Sequence, residues 1–327
     1  MIRSDSQDSM SDYGSSPLFN INNISDLINI ANKFPGQYRT NKDIEKLHKI
    51  KNELIELDKL VGLESLKEQL LYQIMFFCQK LQTNEMMHTC LMGPPGVGKT
   101  TVAHIIGNIY TKLGFLTNGT FRCVGRDELI GHYLGETAIK TEEVCSSCIG
   151  GVLFIDEAYS LGNSGEGDSY SKECIDTLNK FLSEHTENFV CIIAGYPEQM
   201  DSCFFSKNPG LDRRFPWKYT LTPYDSKDLN KIFELQLLKS KWTYRKSKYG
   251  NIVFKLIKDN HDIFKNNGGD TETFVSMCKM SHAKRVFGQR ITWKKKLIHK
   301  DILSGFDLYK SNKKKKITNN PPLMMYT

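Results

Sequence analysis

The sequence predicts an α/β fold, in which a parallel sheet is covered by helices on both faces and followed by a small helical domain. Three observations carry that expectation. A glycine-rich loop, GPPGVGKT at 93–100, stands between an apolar run and a segment with helical spacing. Apolar stretches suited to buried strands recur at Phe121 to Val124, Val152 to Ile155, Phe189 to Ala194 and Lys218 to Leu221, with helical segments between them. That alternation buries parallel strands under helices and leaves ligand groups at the carboxyl ends of the strands. From about Asp225 the strand signals fade, and Asp228 to Leu238 begins a mostly helical remainder punctuated by Gly250, Gly268 and Gly269.

Residues 1–24 are rich in Ser, Asp and Asn and poor in residues that build a core, so they are expected to be disordered. A helical extension is expected over 25–56. From Asn41 to Asp58 the residues Ile44, Leu47, Ile50, Leu54 and Leu57 keep helical spacing, and Leu63 to Leu81 gives a second amphipathic helix. His88 to Met92 reads as a buried strand, and Thr101 to Leu113 as a helix with Val102, Ile105, Ile106 and Ile109 on one face. The resulting division is an α/β domain at 57–224, a helical domain at 225–309 and a basic, disordered tail at 310–327.

The 327 residues are ample for a proper core, and no apolar run approaches the roughly 18 residues of a membrane helix. The start lacks the apolar core of a secretory leader, so an intracellular location is expected, cytoplasmic or alternatively nuclear, with no membrane partner. Nine scattered cysteines do not make a disulfide framework. Cys145 and Cys148 have metal or redox spacing, but no second pair completes a zinc site, so they read as small apolar residues on a helix. The formal charge is +7, of which Lys310 and Lys313 to Lys316 supply five. The basic excess thus lies in the tail, a solvated end that could also meet nucleic acid or an acidic partner.

Gly93 and Gly98-Lys99-Thr100 fit G-x-x-x-x-G-K-[ST], in which backbone N–H groups cradle phosphates, the lysine reaches the outer phosphates and the hydroxyl holds Mg²⁺. Gly93, Pro94, Pro95, Gly96, Val97, Gly98, Lys99, Thr100 and Thr101 are therefore the candidate phosphate site. The stretch GGVLFIDEAYSL at 150–161 is an apolar strand ending in two carboxylates. Asp156 is placed to hold Mg²⁺ through its waters, and Glu157 to polarise a water for attack on the γ-phosphate. By itself an Asp-Glu pair after a strand also suits a helix cap or turn; following a phosphate loop, it favours the nucleotide reading.

With these motifs the chain resembles AAA+ ATPases, specifically the CbbX/CfxQ and stage V sporulation protein K group. LDKLVGLESLKEQL at 57–70, DELIGHYLGETAIKT at 127–141 and CIIAGYPEQMDSCFFSKNPGLDRRF at 191–215 carry the resemblance, which runs from about residue 55 to 290. It implies ATP and Mg²⁺ as ligands, a helical lid over the nucleotide, and assembly into a ring, usually of six. It implies that Val61, Gly62 and Leu63 line the adenine pocket, where an apolar segment can pack on a flat base, although the same residues suit an ordinary turn. NPGLDRRF matches the segment that gives an arginine finger to a neighbour's nucleotide, with Arg214 the first candidate and Arg213 the alternate. Without the resemblance, both arginines read as surface charge. Tyr133, Leu134 and Gly135 resemble the aromatic-hydrophobic-glycine pore loop that grips an extended polypeptide; a buried tyrosine at a strand-to-helix turn is the competing reading.

Two positions depart from the usual pattern. Ala194-Gly195-Tyr196 stands where many AAA+ proteins carry a polar sensor, and Asp270 stands where the group carries a sensor arginine. A carboxylate cannot pair with phosphate oxygens; Lys284 or Arg285, further along in SHAKRVF, could substitute, and slow or partner-dependent hydrolysis is expected. The function expected is an ATP-hydrolysing ring that remodels an unidentified protein client through a central pore. The alternative is a loader or motor acting on nucleic acid; a P-loop kinase or nucleotide-dependent scaffold ranks last, since a kinase has no need of the DRRF segment. In the CbbX branch the client is an inhibited carboxylase, but the flanks differ here and the client does not carry over. Deletion of 310–327 is expected to leave ATPase activity nearly unchanged, because the lysine run has no apolar periodicity to pack.

Overall fold

A computed structural model of the chain describes residues 19–37, 39–81, 86–133, 135–162, 169–244, 251–289 and 294–318. Residues 1–18, Leu134 and 319–327, which fall in the expected disordered start, pore loop and tail, lie outside the described residues. The N-terminal helices are α1 (Ile24–Asn32), α2 (Lys42–Lys49), α3 (Lys51–Asp58) and α4 (Glu64–Cys78). The expected single helix from Asn41 to Asp58 is broken at Ile50, whose φ of −95° and ψ of 10° are not helical. The bend lets both halves reach one core: Ile44 and Leu47 from α2, Leu54 and Leu57 from α3, with Ile50 buried at the corner. Phe19 and Ile21 pack against the same core, and the Asn23 side chain caps α1 by accepting from Asp26 N, so order begins before residue 25. Lys112 meets the buried Glu53 at 2.7 Å and ties α3 to the sheet's covering helix.

The sheet is built from β1 (Thr89–Met92), β2 (Phe121–Val124), β3 (Val152–Ile155), β4 (Val190–Gly195) and β5 (Trp217–Thr220), all parallel in the order β2-β3-β4-β1-β5. Successive side chains in a strand face opposite ways, and in the central strands β1, β3 and β4 both faces are buried. Val152, Phe154, Val190, Ile192 and Leu91 join a core with α1 to α4 and with α5 (Lys99–Leu113). Leu153, Ile155, Cys191, Ile193 and Cys90 join a second core on the other face. That face is covered by α6 (Arg126–Leu129), α7 (Glu136–Ser146), α8 (Ser169–Glu184) and, after the short α9 (Pro197–Gln199), by buried Met200, Phe204 and Phe205 and by α10 (Pro209–Arg214). Cys145 lies in the last turn of α7 and Cys148 just beyond it; both are buried thiols whose pKa is pushed up by burial.

The helical domain comprises α11 (Ser226–Lys239), α12 (Ile252–Asp259), α13 (Asn267–Val286) and α14 (His299–Thr318). Two-residue strands β6 (Thr243–Tyr244) and β7 (Lys296–Leu297) add a small parallel pair. An aromatic cluster holds it, with ring centroids 5.0 Å apart for Phe233 and Phe274 and 5.4 Å for Phe274 and Phe306. The tail expected to be disordered from 310 instead continues α14 to Thr318. Buried Tyr309 and an ion pair from Lys313 to Asp270 hold that continuation against α13, a long-range contact with no periodic signature. No described helix is long and apolar enough to cross a membrane.

Candidate functional site

Parallel strands bring all their carboxyl ends to one edge. Met92 at the end of β1 stands opposite Gly195 in β4, and Ile193 in β4 opposite Ile155 at the end of β3. The loop after β1 and the acids after β3 therefore open on the same crevice, a cavity of about 910 Å³ between the sheet edge and α11 and α13. Pro95, Gly96, Val97, Gly98, Lys99 and Thr100 line it, as do Thr101, Asp156 and Glu157. Gly93 starts the loop with its N–H on Gly195 O at 3.0 Å. Gly96 and Gly98 have φ of +72° and +93°, and a Cβ on Gly96 would lie 2.1 Å from Asn266 O, so only glycine allows the loop to pass under the lid.

Lys99 opens α5 and its Nζ donates to Gly93 O at 2.9 Å and Pro94 O at 3.0 Å. Burial lowers its pKa, while Asp156 and Glu157 act the other way. The ammonium lies 5.4 Å from the centre of the Tyr196 ring, at the position where a polar sensor is absent. Tyr196 and Tyr159 are themselves 5.5 Å apart, and burial followed by the neighbouring Glu157 pushes the Tyr159 phenol up to about 12.

Neither carboxylate is buried in the strand: Asp156 is half-buried and Glu157 exposed to the crevice. Asp156 Oδ1 accepts from Glu157 N at 3.0 Å. Glu157 holds φ +50° and ψ 43°, a left-handed conformation that costs a side-chain-bearing residue roughly 1–2 kcal/mol. That turn directs the carboxylate out of the sheet at the crevice mouth. A hydroxyl, a carboxylate and surrounding water are the hard oxygen donors that Mg²⁺ takes, so the residues present fit that ion.

Val61 and Leu63 line the far end of the cavity with Leu60, and Ile232 and Leu235 of α11 add apolar surface there. Gly62 does not line it: with φ +63° it makes the turn, and a Cβ would lie 2.7 Å from Asp228 Oδ2. The sequence reading missed how the lid grips the phosphate loop. Asn267 takes its Oδ1 to Tyr224 N at 3.0 Å and its Nδ2 to Pro95 O at 3.1 Å. Gly268 N donates to Gly96 O at 3.0 Å, Gln236 Nε2 to Gly268 O at 2.9 Å, and Tyr224 Oη to Val97 O at 2.8 Å. The only sequence signal for these was a glycine pair after two asparagines, which read as punctuation.

Neither proposed sensor substitute reaches the crevice. Arg285 is committed to the buried Asp301, with Nε at 2.7 Å and a second nitrogen at 2.9 Å, beside His282; Lys284 is exposed and does not line the cavity. Asp270 also turns away, toward α14.

Arg213 is exposed and Arg214 half-buried, and neither lines the crevice of its own chain. Asn208 caps α10 by accepting from Gly210 N at 2.9 Å, Pro209 starts it, and buried Leu211 and Phe215 fix it against the second core. Arg214 Nε has no hydrogen-bond partner among the described residues. Tyr133 is 77% exposed, which excludes the reading of a buried core tyrosine. His132 and Tyr133 donate their backbone N–H groups to Glu136 Oε2 at 2.7 and 3.1 Å, and Gly135, with φ +81°, caps α7. The turn is thus braced while the ring stands in solvent.

A family model described as "ATPase family associated with various cellular activities (AAA)" matches residues 89–208. A CfxQ-like protein of Acanthamoeba polyphaga mimivirus is 38% identical over 308 residues, covering 92% of this chain and 76% of the relative. Stage V sporulation protein K of Bacillus subtilis is 39% identical over 199 residues, 58% of each chain. A CfxQ homologue of Guillardia theta is 33% identical over 283 residues, 82% of this chain and 94% of the relative. Among solved structures, the FIGL-1 AAA domain in complex with ADP has a TM-score of 0.55 at 17% identity, covering 80% of this chain and 88% of that one. RuvB of Thermotoga maritima has the same score and identity, with 77% and 72% covered. These two show the shared fold.

Proposed function

This chain belongs to the AAA family of ATPases, in its CfxQ/CbbX-like group, and from that membership we propose that it works as a ring which spends ATP to remodel a protein client drawn against Tyr133. The observation that carries the proposal is the convergence of Lys99, Thr100, Asp156 and Glu157 on one crevice under the lid, with a solvent-facing aromatic one helix away from the acids. In this reading the loop N–H groups and Lys99 bind the phosphates, and Leu60, Val61 and Leu63 pack on the base. Thr100 and Asp156 would hold Mg²⁺, which neutralises phosphate charge when bound. Glu157 takes a proton from the attacking water and aligns it with the γ-phosphate. Arg214, absent from its own crevice, serves the neighbouring subunit's nucleotide, where its fork meets charge that develops in transfer. The segment Glu136 to Ser146 joins the Tyr133 turn to the strand bearing the acids, so a shift at Asp156 and Glu157 has a short path to the pore ring.

The test combines four variants. Lys99→Ala should abolish tight ATP binding, whereas Glu157→Gln should keep binding and lose turnover. The Glu157→Gln protein, locked on ATP, is then used to capture partners, with protein identified by mass spectrometry and nucleic acid assayed in the same eluate. Tyr133→Ala should keep basal hydrolysis and lose client-stimulated turnover, with Tyr133→Phe restoring it, because grip uses the ring face. Wild-type hydrolysis by Glu157→Gln removes the assigned base; nucleic acid in place of protein in the eluate favours the loader or motor.

A further inference from the structure

The C-terminal helix reaches the nucleotide crevice indirectly, through the residue that stands where relatives' lids are expected to carry an arginine. Helices α13 and α14 pack closely enough that a Cβ on Gly305 would lie 2.6 Å from Cys278 Cα. Tyr309 is buried between them and donates its hydroxyl to Ile263 O at 3.0 Å. One turn later Lys313 Nζ meets Asp270 Oδ1 at 2.5 Å and lies 5.7 Å from the centre of the Tyr309 ring. Asp270 is 3% exposed, and its other oxygen accepts from Asn266 N at 2.8 Å. The next two residues, Asn267 and Gly268, are those bonded to Pro95 and Gly96 of the phosphate loop.

We propose that Lys313 is a positioning residue for nucleotide binding: by neutralising Asp270 it fixes the first turn of α13, so that the C-terminal helix sets how firmly the lid holds the nucleotide. Without its cation, the buried Asp270 carboxylate keeps its charge with the Asn266 hydrogen bonds left to offset the desolvation. It relieves that cost by turning toward water, which releases Asn266 N and with it the turn that carries Asn267 and Gly268. Lys313 touches no substrate atom and acts only through Asp270. Truncation at residue 310 therefore removes a nucleotide-site support, contrary to the expectation that the tail is dispensable. The proposal rests on ATP occupying the crevice beneath the lid.

The experiment uses the full chain and measures KM and kcat for ATP together with the affinity for a fluorescent ADP analogue. Lys313→Gln is expected to raise KM and weaken ADP binding by about tenfold with kcat changed less than about twofold. Lys313→Arg should restore both values to within about twofold. Lys310→Gln, one turn earlier on an exposed contact with Asn260, should change neither. Asp270→Asn combined with Lys313→Gln should recover most of the affinity, since no unpaired charge is then buried. This double variant and Lys313→Arg also serve if the single Lys313→Gln fails to fold. Unchanged KM and affinity in Lys313→Gln, an equal loss in Lys310→Gln, or a double variant no tighter than the single one would each overturn the proposal. Lys99→Ala separates the two levels: if it binds ADP like wild type, the crevice assignment fails and this proposal with it. If binding is lost in Lys99→Ala but not in Lys313→Gln, only the role of Lys313 fails.

Discussion

Replacing Asn267 with alanine probes the clasp between lid and loop without altering any group that meets phosphate. Asn267 is 3% exposed, and its side chain joins two distant backbone groups, Tyr224 N at 3.0 Å and Pro95 O at 3.1 Å, besides a longer 3.4 Å contact with Lys265 O. Alanine leaves both unpaired in a buried setting, at about 1–3 kcal/mol each before relaxation. Water reaching the nearby crevice would soften that cost, so about 3 kcal/mol in total is the working figure. Asn267 also has φ +48°, where alanine is strained by roughly 1 kcal/mol relative to glycine. Asn267→Gly should therefore be milder than Asn267→Ala by about that amount, and the difference between glycine and wild type combines the lost side-chain hydrogen bonds with the chain entropy of glycine. The assays are urea unfolding and ADP titration. A loss of about 3 kcal/mol corresponds to roughly a hundredfold, the upper limit for the fall in ADP affinity if the whole clasp energy is coupled to binding. Unfolding free energy and ADP affinity both within about 0.5 kcal/mol of wild type for Asn267→Ala would refute the clasp.

Further outcomes concern Arg214, Gly96 and His88. Arg214→Ala and Lys99→Ala proteins should each be inactive yet regain hydrolysis when mixed, because a mixed ring can join an intact Lys99 site to an intact Arg214; co-assembled subunits that stay inactive at every ratio would count against action in trans. Gly96→Ala should lower ADP affinity by more than tenfold, since its methyl group would sit 2.1 Å from Asn266 O, and an unchanged titration would contradict the close approach of lid and loop. Burial, with Arg214 nearby, holds His88 down to about 4, against an ordinary 6.5, while its contact with Leu182 acts the other way. Its Nδ1 accepts from Cys191 N at 3.0 Å, a bond that protonation would break. The unfolded chain takes up this proton below pH 6.5 and the folded one only near 4, so the contribution is complete above 6.5 and falls by roughly 3 kcal/mol between those values. The stability of His88→Asn, measured by urea unfolding across pH 4 to 7, should lack that slope; parallel curves for the two proteins would discount His88 as its source.

The sequence alone determined the elements whose physics is local. The strands β1, β3 and β4 were legible because each is a short apolar run between turns, and a strand buried on both faces needs little else; the edge strands β2 and β5, with exposed Cys123, Lys218 and Thr220, carried a weaker apolar signal. The phosphate loop and the acids after β3 were legible because their chemistry demands fixed residue types at fixed spacing. What only the tertiary structure decided depends on distance along the chain. Asn267 lies 172 residues from Pro95, and nothing in NNGGD distinguishes a lid clasp from a turn. Arg285 looked available for phosphate until Asp301, 16 residues on, was seen to hold it. Lys313 reads as one of several solvated lysines until Asp270, 43 residues earlier, is seen to be buried beside it. Residue type supplies the charge, but whether a charge serves the nucleotide, the fold or the solvent depends on which partner the folded chain brings within hydrogen-bonding distance, and that partner leaves no mark in the local pattern.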